Sequence, residues 1–181
     1  TLENLHEKAA IHINDTHPTL AIPELMRILL DDCGYGWDKA WDIVCRTCSY
    51  TNHTVLMEAL EKWDENLFKT TLPRIYQIVR EINRRFTKDL FDNHHDKFDI
   101  STIEKMSIVS QNQVRMANLS VVGSYSVNGV AALHTDILKR QEMREFYDYY
   151  PEKFNNKTNG ITHRRWLSYC NPELNEFLNN N

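Results

Sequence analysis

Residues able to hydrogen-bond in both directions recur in four short clusters, each directly behind an apolar stretch. They are Asn14-Asp15-Thr16-His17, Asn52-His53-Thr54, Asn128-Gly129 and Thr158-Asn159-Gly160. Asn and neutral His each offer a donor and an acceptor on separate atoms, and a hydroxyl does both on one. Such groups suit a ligand that is itself rich in hydroxyls, a carbohydrate or another polar metabolite. Each cluster also has a plainer reading. Thr16 ahead of Pro18 is a helix-start signal, and Asn-Gly pairs are common turns. Convergence decides between the two readings, because ligands of open α/β sheets bind beyond the carboxyl ends of the strands.

Other chemistries have less support. His12, Asp15 and His17 are of types that bind zinc or iron, which makes a metal-dependent hydrolase one alternative. If the strand ran on through them, His12, Asn14 and Thr16 would face one way and Asp15 and His17 the other, splitting the set. Cys45-Arg46-Thr47-Cys48 is a C-x-x-C with no second pair to complete a zinc site, and it lies within a helical pattern, so a packing role is expected. Glu24, Glu58 and Glu61 fall on expected helices, and no carboxylate pair has spacing that announces acid–base work. No G-x-G-x-x-G, G-x-x-x-x-G-K-[ST] or G-x-S-x-G string occurs, so the common phosphate cradles and the nucleophile elbow are not available. Only 5 of 181 residues are glycine, against a usual ~7%.

The elements that would position these clusters alternate in type. Residues 9–14 are short, apolar and β-branched, which predicts a buried strand. A helix carrying Leu25, Met26, Ile28 and Leu29 follows, starting or kinking near Pro23. Trp37, Trp41, Val44, Cys45 and Cys48 form a helical stripe, and a short helix is expected over 56–62. Ile75, Ile78, Val79, Ile82, Phe86 and Leu90 predict a long amphipathic helix beginning beside Pro73. Its opposite face of Arg74, Arg80, Arg84, Arg85 and Lys88 is expected to be solvated. Residues 93–105 read as a loop or lid. A helix near 115–122, a strand or turn through 124–128, a helix from about Val130 and a last helix from Pro172 complete the pattern. Strands separated by helices argue for an α/β fold.

The chain carries 25 acidic and 21 basic side chains, a net charge of −4, so charge makes no case for nucleic acid or an anionic membrane as partner. No apolar leader segment is visible. The uncharged run 116–135 has the length of a membrane span, but Asn118, Ser120, Ser124, Ser126 and Asn128 make it too polar for lipid; burial in protein and a cytoplasmic location are expected. The chain starts at Thr1, and 175–181 reads as a helix cut short, so a segment of a longer protein is expected.

Four strings are collinear with the glycogen/α-glucan (maltodextrin) phosphorylase family, which the chain resembles from about residue 8 to about residue 178. They are AIHINDTHPTLAIPELMR (10–27), YTNHTVLMEALEKW (50–63), RMANLSVVGSYSVNGVA (115–131) and NKTNGITHRRWL (156–167), with 87–112 the weakest stretch. The resemblance implies a two-lobed, helix-rich glycosyltransferase-B-type (Rossmann-like) fold. Residues 1–157 would be the second half of the N-terminal lobe, and 158–181 the first segment of the C-terminal, cofactor-binding lobe. It implies a cytoplasmic, homodimeric transferase with pyridoxal 5′-phosphate. That enzyme would cut terminal α-1,4-linked glucose from a glucan with inorganic phosphate, giving α-glucose 1-phosphate. By the same resemblance His53 and Asn159 bond the glucose 6-hydroxyl, with Thr54 beside His53. Asp15 and His17 line the acceptor side, and Asn128, Gly129 and Val130 pack close to sugar and cofactor. The Schiff-base lysine, the phosphate-holding basic residues, the family's Gly-rich loop and most regulatory sites fall outside this stretch, so the segment alone is expected to be inactive. Two positions depart from the family pattern: His163 stands for a usual Pro, and Tyr125 for a usual His or similar polar residue. The alternative in another class is a non-enzymatic carbohydrate-binding or interaction module without the cofactor lobe.

Overall fold

The computed structural model describes residues 2–181. Along the chain come α1 (Leu5–Lys8), β1 (Ile11–Asn14), α2 (Ala21–Arg27), α3 (Trp37–Thr47) and β2 (Cys48–Thr51). Then follow β3 (Lys62–Asp64), α4 (Glu65–Thr71), α5 (Pro73–His94), α6 (Ile100–Met106), β4 (Val109–Ser110), β5 (Gln113–Arg115) and α7 (Met116–Val122). The last part holds β6 (Ser126–Gly129), α8 (Ala132–Ile137), α9 (Arg144–Tyr149), β7 (Phe154–Asn156), α10 (His163–Cys170) and α11 (Pro172–Asn180).

The main sheet has the order β1-β2-β6-β7, and every neighbouring pair is parallel. Parallel pairing requires crossovers through helices, which α2, α3, α7 and α9 help to supply. The register sets Asn14 beside Thr51, Thr51 beside Asn128 and Asn128 beside Asn155. All four strands therefore end at one edge, and each expected polar cluster lies at or just past such an end. A smaller antiparallel sheet, β3-β5-β4, stands apart.

Ile13, Tyr50 and Val127 supply the fully buried layer of the sheet, under Ile22, Met26 and Leu29 from α2 and its π-helical continuation Ile28–Asp32. Pro73 opens α5 at its first turn, where the missing N–H costs nothing. Buried Ile75, Ile78, Val79, Ile82, Phe86 and Leu90 then recur at helical spacing. Its polar face is threaded with surface ion pairs, Glu81 with Arg84 and Arg85, and Arg74 with Asp31. The first part of the uncharged run is buried in protein: Met116, Ala117, Leu119, Ser120, Val121 and Val122 of α7 are all inside, whereas Tyr125 and Leu133 farther along are exposed.

Several local expectations are corrected. The stripe over 37–48 is not all helix: α3 ends at Thr47 and Cys48 opens β2. β2 is central, with ladders on both sides, and that pairing outweighs helical spacing. No helix covers 56–62; a single 3-10 turn, Met57–Ala59, precedes β3. Part of 93–105 is ordered as α6, because Asp99 caps it by accepting from the Thr102 N–H at 2.8 Å. Alternation does not continue past Asn14, since Asp15 turns with φ 55°, a conformation that Asp tolerates better than most residues.

Candidate functional site

Side chains at the carboxyl edge of the main sheet bond one another across the strands. Thr51 Oγ donates to Asn128 Oδ1 at 2.8 Å, and His12 Nε2 lies 2.6 Å from the same hydroxyl. A hydroxyl has one proton. With that proton on Asn128, His12 must be the donor, so His12 is spent inside the sheet. Among the described residues no group of three or more His, Cys, Asp or Glu side chains is placed to hold a metal ion.

The second bridge joins the end of β1 to the loop after β2. His53 Nε2 lies 2.7 Å from Asn14 Oδ1. The amide oxygen only accepts, so Nε2 donates, and in that tautomer Nδ1 is the acceptor on an exposed side chain. The loop that carries His53 is held by Asn52, which is fully buried. Asn52 Oδ1 accepts from the Thr54 N–H at 2.9 Å, and its Nδ2 donates to the Tyr50 hydroxyl at 2.9 Å. Burial pushes the Tyr50 phenol well above the usual range, so that hydroxyl stays protonated.

The loops after β6 and β7 are tied through backbone. The Asn159 N–H donates to Val130 O at 2.9 Å, and the Lys157 N–H to Gly129 O at 3.1 Å. The Asn128-Gly129 pair is not a turn but the end of β6. Glycine is needed there for space: a Cβ would come within 2.6 Å of Thr135 Oγ1 and 3.0 Å of the Thr135 Cα. The Asp15 N–H reaches Thr51 O at 2.9 Å, holding the first loop to the second. Thr16 does not cap a helix; its hydroxyl donates to Glu61 Oε2 at 2.7 Å, while Trp63 Nε1 donates to Glu61 Oε1 at 2.9 Å.

The Asn52 N–H donates to Asn128 O at 2.9 Å, and His134 bridges the Val130 N–H and Thr54 O, so the loops carrying His53, Thr54, Asn128, Val130 and Asn159 are joined in one bonded set, with Asp15 attached through Thr51. His17 is exposed on the Asp15 loop, without a bond to the others among the described residues. Asn128 is buried, Asp15, Thr54 and Val130 are half-buried, and His53 and Asn159 are exposed. The result is an open polar face with fixed donors and acceptors, able to orient a hydroxylated ring but carrying no cluster of cations for an anion. Sequence reasoning missed Thr51, Glu61 and His134 as parts of this face.

The lysines nearest this face are already committed or displaced. Lys153 Nζ donates to Val121 O and Val122 O at 3.1 and 3.3 Å, and Lys157 is exposed.

Comparison with known proteins gives the family. The profile of the carbohydrate phosphorylase family matches residues 1–181. The chain is 56% identical over 178 residues to glycogen phosphorylase of Bacillus subtilis (strain 168), covering 98% of this chain and 22% of that protein. It is 54% identical over 175 residues to alpha-glucan phosphorylase 2, cytosolic, of Arabidopsis thaliana, covering 94% of this chain and 21% of that protein. The muscle form of glycogen phosphorylase of Homo sapiens is 53% identical over 175 residues, with 95% of this chain and 20% of that protein covered. The chain therefore spans about a fifth of the length of these relatives. With its polar strand ends and a match along its whole length, this chain belongs to the carbohydrate phosphorylase family.

Proposed function

We propose that this chain is the glucose-orienting wall of the cleft of an α-glucan phosphorylase. The longer protein would transfer the terminal α-1,4-linked glucose of a glucan to inorganic phosphate, giving α-glucose 1-phosphate. One observation carries the reading: His53 and Asn159 come from different strand ends and are held to the same face by Asn14, His134 and Val130. The free Nδ1 of His53 accepts from the glucose 6-hydroxyl, and the Asn159 amide bonds the same group. Asn128, Gly129 and Val130 form the floor of the sugar subsite. Asp15 and His17 meet the acceptor side of the glucan, with Thr54 beside His53.

Held at two points, a pyranose presents its anomeric carbon in one direction. A phosphate oxygen then bonds to that carbon as the glycosidic oxygen leaves with its chain. Fixing the ring in this way is worth several kcal/mol of the barrier, on the order of what positioning supplies elsewhere. Pyridoxal phosphate would be held by residues of the longer protein outside this stretch.

The same reading makes the whole protein a two-lobed glycosyltransferase-B-type enzyme, cytoplasmic and homodimeric. Residues 1–157 would belong to its N-terminal lobe and 158–181 to the start of its C-terminal lobe. Supporting that division, α10 and α11 pack on each other and leave Ile161, Trp166, Tyr169 and Phe177 exposed. No helix among the described residues is long and apolar enough to cross a membrane.

The test is release of glucose 1-phosphate from maltodextrin and phosphate. The full-length protein should produce it, and the isolated 181-residue chain should not. A full-length protein that binds maltodextrin without phosphorolysis would instead be a carbohydrate-binding module.

A further inference from the structure

His134 makes no side-chain hydrogen bond to the strand-end side chains among the described residues; it is buried behind the open face, between two of the loops that form it. The Val130 N–H donates to its Nδ1 at 3.0 Å, and its Nε2 lies 3.2 Å from Thr54 O. Both partners are backbone atoms of fixed polarity. An N–H only donates, so Nδ1 must present its lone pair. A carbonyl oxygen only accepts, so Nε2 must carry the proton. The two backbone partners therefore select one tautomer, with the proton on Nε2. It spans from the loop after β2, which carries His53 and Thr54, to the loop after β6, whose Val130 O receives the Asn159 N–H.

Two neighbours reinforce this placement. Gly129 has no Cβ, and one placed there would lie 3.0 Å from His134 Nδ1, so the glycine is what lets the ring sit against β6. The next residue, Thr135, lies with Oγ1 3.0 Å from Asn156 Oδ1 at the end of β7. The first turn of α8 thus touches the ends of three strands at once. From sequence, His134 reads only as a polar residue near the start of a helix.

We infer that His134 is a positioning residue: it sets the distance between the His53 loop and the Val130–Asn159 loop, and so aligns the two groups that hold the glucose 6-hydroxyl. This rests on the proposed function above, but no sugar contact is assigned to His134 itself. Its removal should therefore act on recognition of the 6-hydroxyl more than on the rest of the reaction.

The experiment uses the full-length protein in the synthetic direction, with maltodextrin as acceptor. The donors are α-glucose 1-phosphate and its 6-deoxy analogue, compared by kcat/KM. The wild type should prefer the 6-hydroxyl donor. His134→Phe keeps a planar ring of similar size and removes both hydrogen bonds. It should lower the preference on the order of tenfold or more, the effect of misaligning one or two hydrogen bonds to a buried hydroxyl. His134→Gln, which can still offer an N–H toward Thr54 O, should keep part of the preference. If the phenylalanine variant does not accumulate, His134→Asn, which keeps only an acceptor near Val130, is read in the same way. A variant that loses activity equally toward both donors overturns the positioning role, since a purely structural residue would behave so. A wild type indifferent to the 6-hydroxyl contradicts the sugar-site reading itself, and the inference falls with it. A preference in the wild type that survives in every variant refutes His134 alone.

Discussion

Replacing Lys153 with methionine should change how the stability of this chain depends on pH. Lys153 is enclosed: its Nζ meets the last carbonyls of α7, and the ring of Tyr150 lies 3.7 Å away. Burial pushes its pKa down from 10.5 to about 8. That shift corresponds to about 3 kcal/mol between the charged and neutral forms in the folded chain. Below pH 8 the folded state bears this cost in full. Between pH 8 and 10.5 the folded chain releases the proton before the unfolded chain does, so this group's contribution improves as pH rises. From pH 7 to pH 9 the improvement amounts to about 1 kcal/mol. Two buried thiols act in the opposite sense: burial pushes Cys45 up to about 12 and Cys48 up to about 11. Both thiols remain in Lys153→Met; Cys45 there loses the lysine charge that lowers its pKa and so stays protonated across pH 7 to 9, as in wild type, and neither thiol alters the comparison. Methionine keeps the apolar stem and removes the charge. Urea unfolding followed by circular dichroism at pH 7 and pH 9, at constant ionic strength, measures the effect. The stability of the variant relative to wild type should be less favourable at pH 9 than at pH 7 by about 1 kcal/mol. A difference that stays constant, or moves the other way, would refute the account of Lys153 as a buried, charge-penalised cap.

Gly129→Ala forces a Cβ against the Thr135 backbone, 3.0 Å from its Cα, and should cost about 1–3 kcal/mol in chemical denaturation; a neutral substitution would show that α8 can move aside. Cutting the chain after Lys157 removes α10 and α11, which pack on each other rather than on the sheet. The shortened chain should keep its melting temperature and self-associate less, because it sheds exposed Trp166, Tyr169 and Phe177. A large drop in melting temperature would argue that these helices belong to the same folding unit.

Legibility in the sequence followed how much local pattern each element carries. α5 was readable because six apolar positions repeat at helical spacing behind a proline, and no short-range signal competes over such a length. β1 was readable from its β-branched alternation. β2 and β7 were not. Each has only three or four residues, and their strand character comes from neighbours in the sheet, not from local preference. The same held for the site. The polar clusters could be picked out as chemistry, because Asn, His and Thr gather after apolar runs. That the Asn-Gly pair at 128–129 closes a strand instead of making a turn depends on Thr135 and His134 crowding Gly129. The role of His134 was hidden for a related reason: both its partners are backbone atoms, and backbone polarity leaves no mark on sequence.

The central claim is that His53 and Asn159 act together on one sugar hydroxyl. A double-mutant cycle on the full-length protein tests it, with kcat/KM for maltodextrin phosphorolysis measured for wild type, His53→Ala, Asn159→Ala and the double variant. Each single change should lower kcat/KM by about 10–100-fold, the worth of one well-placed hydrogen bond to a substrate hydroxyl. Because both side chains hold the same group, the double variant should lose clearly less than the product of the two single losses. Wild-type activity in either single variant, or losses that multiply fully, would contradict a shared grip on that hydroxyl.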